Sequence, residues 1–389
     1  MTIADRWLLP DGVEDILPPK AEKIETLRAK LLGLYDSWGF DQVMPPMMEY
    51  LESLLTGAGH DLDTQTFKVT DQLNGRMMGV RADMTPQVAR IDAHSLAREG
   101  VSRFCYAGQV LHTKPAHVMD TRNPIQLGAE IYGHAGIASD FEVISLTLES
   151  LKLSAVDSIT LDLGHVGVFR SLMEKANLEQ DQEKQLFDIL RRKALPELEA
   201  FIPAYFKNQS LGEAVRQLAY ICGGAEVLNT IRELVAPLSA DAVEAVDDLK
   251  QLIARVQSNF PEVNLYIDLS ELRGYNYHTG VVFSAFKTGG SQPLASGGRY
   301  DETGKVFGRA RPATGFSLNL LKVVDVANVA VDAKKLILAP LQDSEELSQL
   351  IETLRSQGHR VIRQLADSDV ETSDAVIDQV NGQWQVVDR

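Results

Sequence analysis

The sequence predicts an α+β fold, and three observations carry that prediction. Helical and strand-like segments alternate along the first part of the chain without the regular spacing of βαβ units. Residues Ile125 to Gly133 alternate polar and apolar side chains with the period of a strand. A helix-rich, charged stretch from His165 to about Phe260 then separates two strand-rich parts.

The first helix is expected over Lys20 to Trp38, where Ile24, Leu27, Leu31, Leu34 and Trp38 recur at helical spacing after two prolines and before Gly39. A short, proline-interrupted strand is expected over Gln42 to Met47. Thr85 followed by Pro86 is expected to cap and start an amphipathic helix running through Val88, Ile91 and Leu96 to Gly100, with a strand from Arg103 to Leu111.

In Ile125 to Gly133, Gln126, Gly128, Glu130 and Tyr132 share one face, while Ile125, Leu127, Ala129 and Ile131 share the other. Periodicity leaves two readings of the polar face. It is a solvated sheet face, or it is a platform on which a ligand with an ammonium and a polar ring lies over Gly128, with Glu130 countering charge and Gln126 bonding to it. Ser139 and Glu142 fit a capping box for a helix over Asp140 to Leu153, and Ile159 to Leu163 is strand-like.

Helical segments follow at Glu179 to Arg192, Gly212 to Ala219, Ala225 to Leu234 and Asp241 to Val256. They form an insertion between two parts of a sheet domain, serving either to complete the fold or to bind a partner. Strand character returns at Asn264 to Leu269 and, after the turn-rich Glu271 to Gly280, at Val281 to Phe286. Gly289, Gly290, Gly297 and Gly298 flank an expected loop ending in Arg299 and Tyr300; such glycines admit an anion to the backbone or simply make hairpin turns. Ala313 to Leu320 reads as strand entering helix. Beyond Val331 come a strand at Lys335 to Ala339, a helix at Ser344 to Leu354, a strand at Arg360 to Leu365, and strands Asp374 to Val380 and Gln383 to Val387 joined at Asn381 and Gly382. This is a small α/β module.

Composition excludes several function classes. At 389 residues the chain has room for two or three packed domains, and 44% hydrophobic with 24% charged residues is ordinary for a soluble globular protein. The formal charge of -16 repels a phosphate backbone, so nucleic acid is not an expected partner. Two cysteines, Cys105 and Cys222, cannot build a disulfide framework, and a reducing cytoplasm is the expected home. The acidic N-terminal run, without a long apolar core, reads as neither signal peptide nor membrane anchor.

Taken in order, PDGVEDILP at Pro10 to Pro18, GFDQVMPPMME at Gly39 to Glu49, RADMTPQVAR at Arg81 to Arg90 and QLGAE at Gln126 to Glu130 form a series. It continues with LRGYNYHTG at Leu272 to Gly280, ASGGRYD at Ala295 to Asp301 and RPATGF at Arg311 to Phe316. Across residues 1–330 the chain resembles the catalytic domain of histidyl-tRNA synthetases, and above all the paralogous family of ATP phosphoribosyltransferase regulatory subunits. The resemblance implies a class II aminoacyl-tRNA synthetase-like antiparallel sheet of six or seven strands flanked by helices, the helical insertion at about 165–260, and a homodimer. Residues 331–389 stand where a synthetase carries a much larger anticodon-binding domain, which with the net charge argues against tRNA.

The resemblance also implies a divided site. Where a synthetase holds ATP with an arginine and a glutamate of its second motif, this chain has His112 and Lys114, and Lys322 matches the last motif's arginine. A lysine lacks the planar fork of arginine, and adenylyl transfer depends on such charge, so this is a degenerate ATP site with no catalytic residue expected. No cofactor or metal is implied. The histidine-binding positions are kept: Asp83 replaces a glutamate, Thr85, Gln126 and Glu130 match, and Arg273, Tyr277 and His278 correspond to an arginine and two tyrosines. The implied role is a non-catalytic subunit that activates the short-form catalytic subunit of ATP phosphoribosyltransferase within a hetero-octamer and helps histidine inhibit the first step of histidine biosynthesis. Two other readings stay open: a divergent histidyl-tRNA synthetase-like ligase, and a histidine-binding module of another complex.

Overall fold

The helix after the prolines spans Lys20–Ser37, buries Ile24, Leu27, Leu31 and Tyr35 along one stripe, and is followed by Gly39 at φ +80°. It is part of a computed structural model that describes residues 7–56, 60–115, 117, 120–270, 277–329, 334–365 and 373–389.

Strand β1 (Asp41–Gln42) stops well short of the expected Met47. Pro45 and Pro46 have no N–H for a ladder, and the chain resumes as β2 (Met48–Tyr50) in a separate sheet with β3 (Phe67–Thr70) and β4 (Met77–Val80), order β2-β4-β3.

The main sheet adds β5 (Ser102–Gln109), β6 (Ile125–Tyr132), β7 (Ile159–His165), β8 (Cys222–Gly223), β9 (Asn264–Asp268), β10 (Val281–Lys287), β11 (Ala295–Arg299) and β12 (Ala313–Asn319). Among the described residues it has nine strands in the order β1-β5-β6-β12-β11-β10-β7-β9-β8. The run from β5 to β7 is antiparallel throughout, whereas β1 lies parallel to β5 and β9 parallel to β7. The sheet is therefore mixed and wider than the expected six or seven strands, because the short β1 and the returning ends of the helical stretch extend its two edges.

Two helix starts differ from the sequence reading. Helix Thr85–Arg90 has Met84 at its N-cap and no side-chain cap, since the Thr85 hydroxyl is used elsewhere; it continues as a π-helical turn to Leu96 and ends at Ala97 with φ 43°, short of Gly100. Helix Ile137–Leu153 begins before Ser139, whose hydroxyl turns back to the Gly136 carbonyl, while Glu142 pairs with Arg103. The capping box is absent because Ser139 also accepts a hydrogen bond from Arg299 and Glu142 is held by Arg103.

Six helices lie between β7 and β9: Val166–Ala176, Gln180–Arg191, Leu195–Tyr205, Gln209–Leu218, Val227–Val235 and Ala240–Asn259. Their apolar stripes join the core under the sheet. Two of them are missing from the sequence reading. Val166–Ala176 follows directly on β7 without a turn signal, and Leu195–Tyr205 carries two prolines, of which Pro196 sits harmlessly in the first turn.

Contacts divide the chain into Met1–Val329 and Ala330–Arg389. The second unit has β13 (Leu336–Ala339), helix Glu345–Ser356, β14 (Arg360–Arg363), β15 (Ala375–Val380) and β16 (Gln383–Asp388), order β14-β13-β15-β16. The helix sets Leu347, Ile351 and Leu354 against Ile337, Ala339, Val361, Ala375 and Ile377. Asn381 and Gly382, both at positive φ, turn β15 into β16 as the Asn-Gly pair predicts. No helix among the described residues is long and apolar enough to cross a membrane.

Candidate functional site

The polar face of β6 is largely covered by other side chains, so it is not a solvated sheet face. Glu130 is 1% exposed, opposite Gly315 of β12 and Phe104 of β5. Its Oε1 accepts hydrogen bonds from Thr85 Oγ1 at 3.0 Å and Tyr106 OH at 2.9 Å, and its Oε2 accepts one from the Tyr300 hydroxyl. Tyr300 stacks against Tyr277 at 5.0 Å between ring centroids, and Tyr277 meets the His278 ring edge-on at 5.3 Å.

Glycines make room for this cage. A Cβ on Gly315 would stand 1.6 Å from Glu130 Oε2. One on Gly128 would meet the Tyr106 hydroxyl at 2.4 Å, so the space over Gly128 is taken by tyrosine and is not where a ligand lies, as the sequence had suggested. The open space, about 170 Å³, is bounded instead by Asp83, Glu130, Tyr277, His278, Gly297 and Tyr300. Gly297 and Gly298 belong to β11, not to a loop, and a Cβ on Gly297 would stand 2.3 Å from the Gly315 carbonyl. The neighbouring Arg299 offers nothing to an anion, because Asp140, Asp301 and the carbonyls of His134 and Gly136 take up its guanidinium.

Burial shapes the charge of the cage. It pushes the Glu130 carboxyl up to about 8, against the three hydroxyl donors that favour the ion, and nearby Asp83 pushes the same way. Burial, followed by the charge of Glu130, also raises the hydroxyls of Tyr106, Tyr277 and Tyr300 well above the ordinary tyrosine range. Burial holds His278 down to about 4. With Nδ1 donating to the Arg299 carbonyl at 3.2 Å, its neutral ring keeps Nε2 as an acceptor. Asp83 Oδ1 accepts from the Thr85 amide at 3.0 Å and from Gln126 Nε2 at 2.8 Å, while Gln126 Oε1 accepts from the Met84 amide at 3.0 Å. Gln126 thus orients Asp83, and both ends of its amide are engaged. Arg273 lies outside the described residues.

A second cavity of about 300 Å³ shares Asp83, Ser296 and Ser317 with the first and adds His112, Gln126 and Asn319 among others. Its described lining contains no lysine or arginine. His112 Nε2 donates to the Ala82 carbonyl at 2.9 Å. Lys322 Nζ lies 3.1 Å from Asp120 and also bonds Gln292, and Lys114 is exposed; neither lysine lines the cavity. Nearby arginines serve the backbone: Arg81 bonds the carbonyls of Gln109 and Pro45, and Arg122 those of His112 and Asp11. Among the described residues this wall presents no lysine or arginine to a phosphate. Among the described residues no group of three His, Cys, Asp or Glu is placed to hold a metal ion.

Sequence reasoning missed Tyr106, Tyr300 and Gly315. The register β5–β6 puts Tyr106 opposite Gly128, so a large residue facing a glycine across a strand pair was the available signal for Tyr106. Gly315, on the neighbouring strand β12, and Tyr300, just after β11, are far from β6 in sequence and had none.

Comparison with known proteins places this geometry in a lineage. The histidyl-tRNA synthetase family matches residues 12–323, and the ATP phosphoribosyltransferase subunit HisZ C-terminal domain matches residues 334–387. The ATP phosphoribosyltransferase regulatory subunit of Thioalkalivibrio sulfidiphilus is 51% identical over 394 residues, covering 100% of both chains. A crystal structure described as an ATP phosphoribosyltransferase regulatory subunit/histidyl-tRNA synthetase, from Bacillus halodurans, superposes with a TM-score of 0.84 at 26% identity, covering 94% of each chain. Histidyl-tRNA synthetase from Nostoc shares the fold, with a TM-score of 0.78 at 19% identity over 94% of this chain and 87% of its own. The chain belongs to the family of ATP phosphoribosyltransferase regulatory subunits, homologous to histidyl-tRNA synthetase.

Proposed function

We propose that this chain regulates ATP phosphoribosyltransferase in the cytoplasm, activating the short-form catalytic subunit and reporting histidine to it, without catalysing a reaction itself. One observation carries the reading: an intact acidic and aromatic cavity around Glu130 adjoins a phosphate-side cavity whose described lining holds no lysine or arginine. The first suits a small amino acid with a polar ring. Asp83 stands for its ammonium, and Glu130 with Tyr277 for the ring. The second does not suit ATP.

On this reading residues 1–330 sense the ligand, residues 331–389 form a separate module, and the chain acts as a homodimer within a hetero-octamer. Regulation requires the chain to favour one state of its partner over another, so binding alone is not sufficient. Histidine-dependent ATP–pyrophosphate exchange is the discriminating experiment. No exchange above a no-enzyme control is expected; clear exchange would instead mark a divergent ligase.

A further inference from the structure

Among the described residues, every element around Glu130 presents a group that is neutral or negative. Strand β5 offers Tyr106, and the turn into helix Thr85–Arg90 offers Asp83 and Thr85. Strand β6 itself offers Tyr132, residues 277–278 offer Tyr277 and His278, the end of β11 offers Tyr300, and β12 offers Gly315. The cations nearby are spent elsewhere: Arg299 on Asp140 and Asp301, Arg311 on Asp92. An ionised Glu130 is therefore a buried anion with no countercharge among the described residues, softened by hydroxyls but not neutralised.

We infer that the cavity selects a neutral heteroaromatic base, an imidazole, which enters uncharged and takes its proton from Glu130. This rests on the reading of the cavity as the histidine site. In the step the Glu130 O–H bond breaks and a ring N–H forms, so carboxylate and imidazolium end up paired and no proton is exchanged with solvent. Attraction between adjacent opposite charges in a partly desolvated site drives the transfer, although the isolated imidazolium is the stronger acid. Tyr106 and Tyr300 suit both states, because a phenol can accept from the protonated carboxyl and donate to the carboxylate.

The consequence is a bell-shaped affinity. Glu130 holds its proton up to about 8, and free imidazole gains one below about 6.5, so binding is tightest between these limits. Below the lower limit ligand and site each carry a proton and one must be expelled, which weakens binding about tenfold per pH unit. A site with an ordinary ionised carboxylate does the opposite over pH 7.5 to 5.5, gaining affinity as the ligand becomes a cation. The ligand's α-amino group does not titrate there, so the acid limb is decisive.

Calorimetric titration of L-histidine into the full chain from pH 5.5 to 8.5, with infrared difference spectra of wild type against Glu130→Gln, tests this. Expected are an affinity that falls below pH 6.5, a binding heat at pH 7.2 independent of buffer ionisation, and a protonated-carboxyl band at pH 7 that histidine removes. If Glu130→Gln does not fold, Tyr300→Phe serves, since loss of one donor moves the disappearance of that band to higher pH. Affinity climbing steadily from pH 7.5 to 5.5, or a carboxylate band in the ligand-free chain at pH 7, would overturn the inference and leave the histidine site standing. No binding at any pH would overturn both, with the infrared band still reporting the state of Glu130.

Discussion

Glu130 faces Gly315 across the β6–β12 pair, and a methyl group on Gly315 would stand 1.6 Å from Glu130 Oε2. The absence of a side chain on one strand sets where the carboxyl of the next can lie. Tyr300 completes the arrangement from the end of β11, so the acid is held on both oxygens.

Gly315→Ala is expected to displace Glu130 and fill the cavity. Overpacking of this kind destabilises by about 1 to 3 kcal/mol, and histidine affinity should fall at least tenfold. Chemical denaturation and calorimetric titration read the two effects separately. A variant with native stability and native affinity would show that the glycine is dispensable.

Glu130→Gln should change how stability depends on pH. In the folded chain the carboxyl keeps its proton up to about 8, whereas an ordinary glutamate titrates near 4.5, so between these values the native state binds the extra proton. Stability from this group is fully present below 4.5 and is lost as pH rises toward 8, a span of about 3 to 5 kcal/mol. Glutamine removes that slope. Denaturation of both proteins from pH 4.5 to 8.5 should show the difference between variant and wild type moving in favour of the variant as pH rises. Parallel curves would place the Glu130 carboxyl in the ordinary range.

Lys322→Ala tests the phosphate side. Lys322 is occupied with Asp120 and Gln292 and lines neither cavity, so its loss should leave histidine affinity within about twofold of wild type. Removing a partly exposed ion pair should lower stability by no more than about 1 kcal/mol. A tenfold loss of histidine affinity would mean that the two cavities act as one.

Much of this was legible in the residues. Strict alternation in Ile125 to Gly133 marked β6, and Asn381–Gly382 marked the last hairpin, because both signals are local. Local signals failed where side chains had distant partners. Thr85 looked like a cap but donates to Glu130, and Ser139 with Glu142 looked like a capping box but serve Arg299 and Arg103. Gly128 and Glu130 drew attention to β6, yet the open cavity lies against Gly297. No reading of one strand could place the tyrosine ring that fills the room above Gly128.

Regulation of a catalytic partner is the central claim, and the rate of ATP phosphoribosyl transfer by the short-form catalytic subunit, alone and saturated with this chain, tests it most directly. The account predicts a complex in which kcat rises or substrate KM falls at least severalfold, with added histidine reversing the gain in wild type and less so in Glu130→Gln. Unchanged kinetics in a complex shown to be fully formed would contradict it.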